Sequence, residues 1–172
     1  IIGDPRLRVS EAENRGRASA LRAAGMMCRG RYAMPFDDDD EIDADGLARA
    51  LDLCGTQSET GAAAFIFHLR DPDGRIVGTP FPRGRSNFVR LRADEGVTGH
   101  KKEIVRADLL KSVTLDPEGA YRRVPTSLGW ARIALAHDAL CFNESIGVKH
   151  YLVGGMTSKA SRIKLANAYP MH

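Results

Sequence analysis

The chain has 172 residues, a length that suits one domain, and 43% of them are hydrophobic, which allows a buried core and argues against intrinsic disorder. Its net charge of +3, from 25 Lys and Arg against 22 Asp and Glu, is too mild to name nucleic acid as a partner. No window approaches the roughly 18 consecutive apolar residues of a membrane span, and no basic-then-apolar signal segment opens the chain.

The charge is unevenly placed. Seven acids crowd residues 37–45, whereas the first 36 residues carry seven Arg and three acids. From Tyr121 onward there are seven basic residues against two acidic ones. Cys28, Cys54 and Cys141 are odd in number and far apart, and the five His are equally scattered. That pattern supports neither a disulfide framework nor a metal site, and a reduced, cytoplasmic setting is the default.

In chain order, residues 10–27 read as a helix, with Ser10 as cap, Glu11 and Glu13 in the first turn, and Ala18, Leu21 and Met26 on one face. Residues 28–45 read as a polar connection and 46–53 as a short helix. The apolar run 62–69, the turn Asp71-Pro72-Asp73-Gly74 and the return 75–79 predict a β-hairpin. Residues 87–92 read as extended, and 104–115 as a strand closed by Asp116-Pro117-Glu118-Gly119. A helix capped by Thr126 or Ser127 is expected to about residue 143, with Leu128, Ala131, Leu135, Ala139 and Phe142 at spacings of three and four. A strand over 148–153 and a helix from Thr157 toward Pro170 complete the order. This predicts an α/β (α+β) class, a single domain over 1–172 with helices around one sheet.

Three groups of residues could carry chemistry. Arg122 and Arg123 stand just ahead of the helix start at Thr126 and Ser127, with Gly129 in the first turn. Free backbone N–H groups beside guanidinium groups bind phosphate, although a capped helix start with two solvated arginines is the plainer reading. No GxxxxGK[ST] pattern is present, so a nucleotide-hydrolysing loop is not supported. The acidic run, including Asp43 and Asp45, is either a solvated loop or a site that orients an amine; it lacks the spacing of a calcium loop. Glu103 and Arg106, three apart, share one site only if a bend intervenes. Arg83, Arg85, Arg90 and Arg92 cluster near Phe88, but at 6% aromatic residues nucleic-acid binding is not favoured.

Taken in order, these features resemble the GNAT superfamily of N-acetyltransferases, and within it the acyl-homoserine-lactone synthases and related long-chain N-acyl amino acid synthases. Leu21-Arg22 resembles that branch's first-helix arginine, residues 37–45 its acidic segment, residues 73–79 its hairpin signature, and Glu103-Ile104-Val105-Arg106 its E-x-S-R motif. Met26-Met27 departs from its usual Val-Phe, Tyr32 from a common Trp, and Val105 from Ser. Pro80-Phe81-Pro82 intervenes before Arg83. The segment from Arg123 to Gly129 lacks the common glycine pattern of the pyrophosphate loop.

The resemblance implies a GNAT-like domain with a central mixed, mostly antiparallel sheet, whose last strands would fall beyond His172. It implies acyl transfer from acyl-CoA or an acyl carrier protein thioester to the amine of an amino acid or related small molecule, without a metal. Glu103 would be the general base or hold the water that acts as one, Asp43 and Asp45 would hold the ammonium, and Arg106 or Arg22 would orient a substrate carboxylate or those acids. A backbone N–H near 113–115 would meet the oxyanion. Arg122, Arg123, Thr126, Ser127 and Gly129 would hold the cofactor phosphates. The alternative is a non-catalytic module of the same fold that binds a partner, or a second copy of itself, through its charged surfaces.

Overall fold

The computed structural model describes residues 4–113 and 125–150. In chain order it contains α1 (Arg17–Met27), β1 (Tyr32–Ala33), β2 (Asp40–Ile42), α2 (Ala44–Thr56), β3 (Ala64–Arg70), β4 (Arg85–Ser86), α3 (Phe88–Ala93), β5 (Lys101–Arg106), α4 (Ala107–Ser112), α5 (Ser127–Ala134) and β6 (Ala139–Lys149). The strands form one sheet in the order β1-β5-β3-β6-β2, with β4 also on β6. Among the described strands only β3 and β6 run parallel; the other pairs are antiparallel. The expected α+β class, a mixed and mostly antiparallel sheet flanked by helices, is what the chain adopts.

β3 sits at the centre because its run Ala64-Phe65-Ile66-Phe67 is apolar on both faces, as a doubly covered strand must be. Ala64 and Ile66 pack with Leu91 of α3, Val105, Ile133 of α5 and Cys141. Phe65 and Phe67 point the other way, into Ala50 and Cys54 of α2, Ile104 and Ile146. The sheet therefore separates two cores, one beneath α3 and α5 and one beneath α2. No helix among the described residues is long and apolar enough to cross a membrane.

Several local expectations are corrected. α1 begins at Arg17 rather than at residue 10. Residues 28–45, read as a connection, contain β1, β2 and the start of α2. The turn after β3 forms, with Gly74 N–H on Asp71 O at 2.9 Å and Arg75 N–H on Asp71 Oδ1 at 2.8 Å. Its return strand does not continue past the single bridge Arg70↔Ile76 and the Val77 N–H to Leu69 O bond. The chain leaves at Gly78, whose φ of 81° suits glycine and whose α-carbon lies against the backbone of Thr98 and Gly99.

Phe88–Ala93 is helical rather than extended, because the Asn87 side chain caps α3 by accepting the N–H groups of Val89 and Arg90. The strand expected over 104–115 runs from Lys101 and turns into α4 after Arg106. The helix from Ser127 ends at Ala134, and residues 139–149 form the longest strand. There pairing with β3 overrides a helix-like apolar spacing. The turn at 116–119, the pair Arg122 and Arg123, most of the oxyanion segment, residues 151–153 and the helix from Thr157 lie outside the described residues.

Candidate functional site

Side chains alternate along β5. Lys102 and Ile104 face the α2 core, while Lys101, Glu103 and Val105 face α3 and α5. Glu103 is cross-strand from Ile66 and half-buried, at the wall of a cavity of about 130 Å³. Leu91, Val97, Phe88, Trp130 and Ser127 complete much of that wall, and the rings of Phe88 and Trp130 stack with centroids 5.2 Å apart. Enough protein surrounds the carboxyl that desolvation pushes it up to about 7, against the opposing pull of Lys102 and Arg92.

Two cations share this wall. Lys101 is buried, and burial, with Arg92 adding repulsion, brings its ammonium down to about 8. It donates to Val77 O and Thr79 O, both at 3.0 Å, and lies 5.5 Å from the centroid of the Phe81 ring. Arg92 donates to Val97 O at 2.6 Å and to Gly99 O at 2.8 Å. Both cations thus hold backbone carbonyls. Among the described residues, no other side chain hydrogen-bonds the Glu103 carboxyl. A carboxyl near neutrality in a small apolar hollow can exchange a proton with a bound group at ordinary pH.

The structure groups the other sequence candidates differently. Ser127 shares the Glu103 cavity. Arg22, Thr126 and Gly129 meet in an adjoining narrow cleft, where Trp130 forms the shared wall. No side chain caps α5 at Thr126. Asp43 is the N-cap of α2, its Oδ1 accepting from Asp45 N–H at 3.1 Å and Gly46 N–H at 3.2 Å. Asp45 is exposed in the first turn of that helix. Arg106 pairs with Asp108 at 2.6 Å. None of Asp43, Asp45 and Arg106 lines the Glu103 cavity, and Arg122 and Arg123 lie outside the described residues.

Three acids of the run, Asp37, Asp39 and Asp40, are held by the chain's own cations. Asp40, its side chain 1% exposed, lies 3.1 Å from Lys102 Nζ and 2.7 Å from Lys149 Nζ. Lys149 also reaches Asp39 at 3.2 Å, and Arg17 pairs with Asp37 at 2.6 Å. Lys102 stands 4.4 Å from the centroid of the Phe36 ring. Carboxylate oxygens of Asp37, Asp39 and Asp40 come within 4.8 Å of one another, so this is where a cation would gather, yet ammonium and guanidinium groups already sit on them.

Sequence reading missed a polar knot in the α3/α5 core. His68 is fully buried, with Nε2 2.9 Å from Asn143 Oδ1. That same oxygen accepts Phe81 N–H at 2.9 Å, and Asn143 Nδ2 donates to Phe81 O at 3.3 Å. These bonds orient the amide so that His68 donates through Nε2, and desolvation holds the imidazole below its usual range. The knot forms at a β-bulge, where four residues of β6 span two of β3 between Ile66↔Cys141 and His68↔Ser145. A histidine inside an apolar strand run was the available signal. A larger hollow, about 820 Å³ between residues 6–16 and α1, is lined by none of these groups. Compared with models of known families and with curated proteins, the chain matches neither a family model nor a curated protein.

Proposed function

We propose that the protein is an acyltransferase that moves an acyl group from a pantetheine thioester, acyl-CoA or acyl carrier protein, to the amine of an amino acid or related small molecule. The observation that carries this reading is Glu103, a carboxyl lifted to about 7 at the wall of a cavity shared with Ser127. An ammonium must lose a proton before its nitrogen attacks a thioester, and a base titrating near 7 does this at physiological pH. The ammonium gives one proton to Glu103, its nitrogen bonds to the acyl carbon as the C–S bond breaks, and the second proton the nitrogen loses goes to the leaving thiolate. The start of α5, with Thr126, Ser127 and Gly129 and with Arg22 in the adjoining cleft, is where donor phosphates would rest. The donor class comes from the GNAT resemblance alone.

The test is thiol release from a panel of acyl-CoA and acyl carrier protein thioesters, each with a set of small amines. Turnover that falls roughly 10²-fold or more in Glu103→Gln supports the reading. Absence of thiol release and of acylated product with every donor overturns it.

The second reading is a non-catalytic binding or assembly module. Its support is that Asp43, Asp45 and Arg106 lie away from the Glu103 cavity, two of them engaged in local contacts. Size-exclusion chromatography at low and high salt tests it, since assembly through charged surfaces dissolves as salt rises.

A further inference from the structure

Resting on Glu103 as the amine's proton acceptor, the cavity also limits what that amine can be. Its volume, about 130 Å³, is close to the apolar cavity of about 150 Å³ that takes benzene. Its inner surface is largely hydrocarbon and aromatic: Ile66, Leu91, Val97, Phe88 and Trp130. The stacked Phe88–Trp130 pair offers a flat wall against which a ring or a branched chain packs. The polar demands of the two cations in the wall are met by backbone carbonyls, Lys101 by Val77 and Thr79, Arg92 by Val97 and Gly99. Among the described residues, Glu103 is the one acid in the cavity wall, so it is the carboxylate an arriving cation meets there.

We propose that this cavity is the acceptor pocket and that it takes a primary amine carrying one six-membered ring, or a branched aliphatic body of the same bulk, with the ammonium on the Glu103 carboxylate. A charge-assisted hydrogen bond in a partly desolvated site adds enough to separate such an amine from its neutral isostere by about tenfold or more. A fused second ring exceeds a volume of about 130 Å³ and presses on the side chains that line it.

The chain's single tryptophan is Trp130, which lines the cavity, so its fluorescence reports occupancy without any acyl donor. The experiment titrates the whole protein at pH 8 with benzylamine, benzyl alcohol and 1-naphthylmethylamine, then repeats the series with Glu103→Gln. A saturable change with benzylamine, about tenfold weaker binding of the alcohol and of the naphthyl amine, and loss of the amine preference in the variant support the proposal. No saturable change, equal binding of benzylamine and benzyl alcohol, or naphthyl binding as tight as benzyl overturns it; each is read on the native protein and does not depend on the variant folding. Thiol release with other amines but no benzylamine binding would overturn this pocket and leave the acyltransferase reading intact. Benzylamine binding without any thiol release would support the pocket and remove the acyltransferase.

Discussion

The ammonium of Lys149, the last residue of β6, lies 2.7 Å from the carboxylate of Asp40, the first residue of the edge strand β2, and the two are register partners in the ladder. Lys102 arrives at the same carboxylate from β5, at 3.1 Å. All three side chains are at least nine-tenths buried. One acid of the run thus ties together strands distant in sequence, two of which, β5 and β6, are not neighbours in the sheet.

Removing that acid is therefore expected to cost far more than a surface pair would. Asp40→Asn leaves the buried Lys102 ammonium without its counter-charge and Lys149 with Asp39 alone, which costs about 3–5 kcal/mol. Stability from urea unfolding measures it, and a loss below about 1 kcal/mol would mean the network does not hold β2. Burial alone would raise the carboxyl of Asp40, but the hydrogen bonds from Lys149 and Lys102 outweigh it and hold the group below its ordinary 3.8. A depressed carboxyl contributes stability above its unfolded value and loses it as pH falls through the folded one. The Asn variant should then differ most from the native chain above pH 4, and the gap should narrow in more acidic buffer.

Two glycines of α2 should respond oppositely to the same substitution. A Cβ on Gly46 would stand 2.6 Å from Ser145 O and 3.0 Å from the Ile146 α-carbon, because the first turn of the helix rests directly on β6. Gly46→Ala should lose about 1–3 kcal/mol through that overlap. Nothing lies within 4 Å of a Cβ on Gly55 in the last turn, so Gly55→Ala should gain about 0.5–1 kcal/mol from helix propensity. Thermal melts of the pair decide it, and a gain at Gly46 would show that α2 does not sit so close.

What could be read from the chain was what depends on neighbours in sequence. The apolar run of β3, the Asp71–Gly74 turn and the start of α5 follow from local composition and appear where expected. The misreadings share one cause. Leu135, Ala139 and Phe142 keep helical spacing, but residues 139–149 gain more by pairing with β3 on one side and β2 on the other. Asp43 resembled a ligand in a run of acids, yet its role depends on the N–H groups that α2 places beside it. The Lys149–Asp40 pair spans more than a hundred residues and leaves no local trace.

Glu103 should set stability and rate in opposite directions as pH changes. Its carboxyl stands at about 7 in the folded chain, above its ordinary 4.5, with burial as the main cause. Between those values the native state binds more protons than the unfolded one, so this group's contribution falls as pH rises from about 4.5 to 7 and is flat beyond. Glu103→Gln has no charge to desolvate. It should be more stable than the native protein by on the order of 2 kcal/mol at pH 8, and the two should converge near pH 4. Urea unfolding of both proteins across that range measures the slope, and parallel curves would show that the carboxyl is not strained by ionising. As the base of the proposed acyl transfer, the same group works only when deprotonated, so kcat/KM should climb with pH and bend near 7. The variant should lose that bend along with most of its turnover. A more stable but inactive protein is the signature of a carboxylate kept in an unfavourable place for its chemistry.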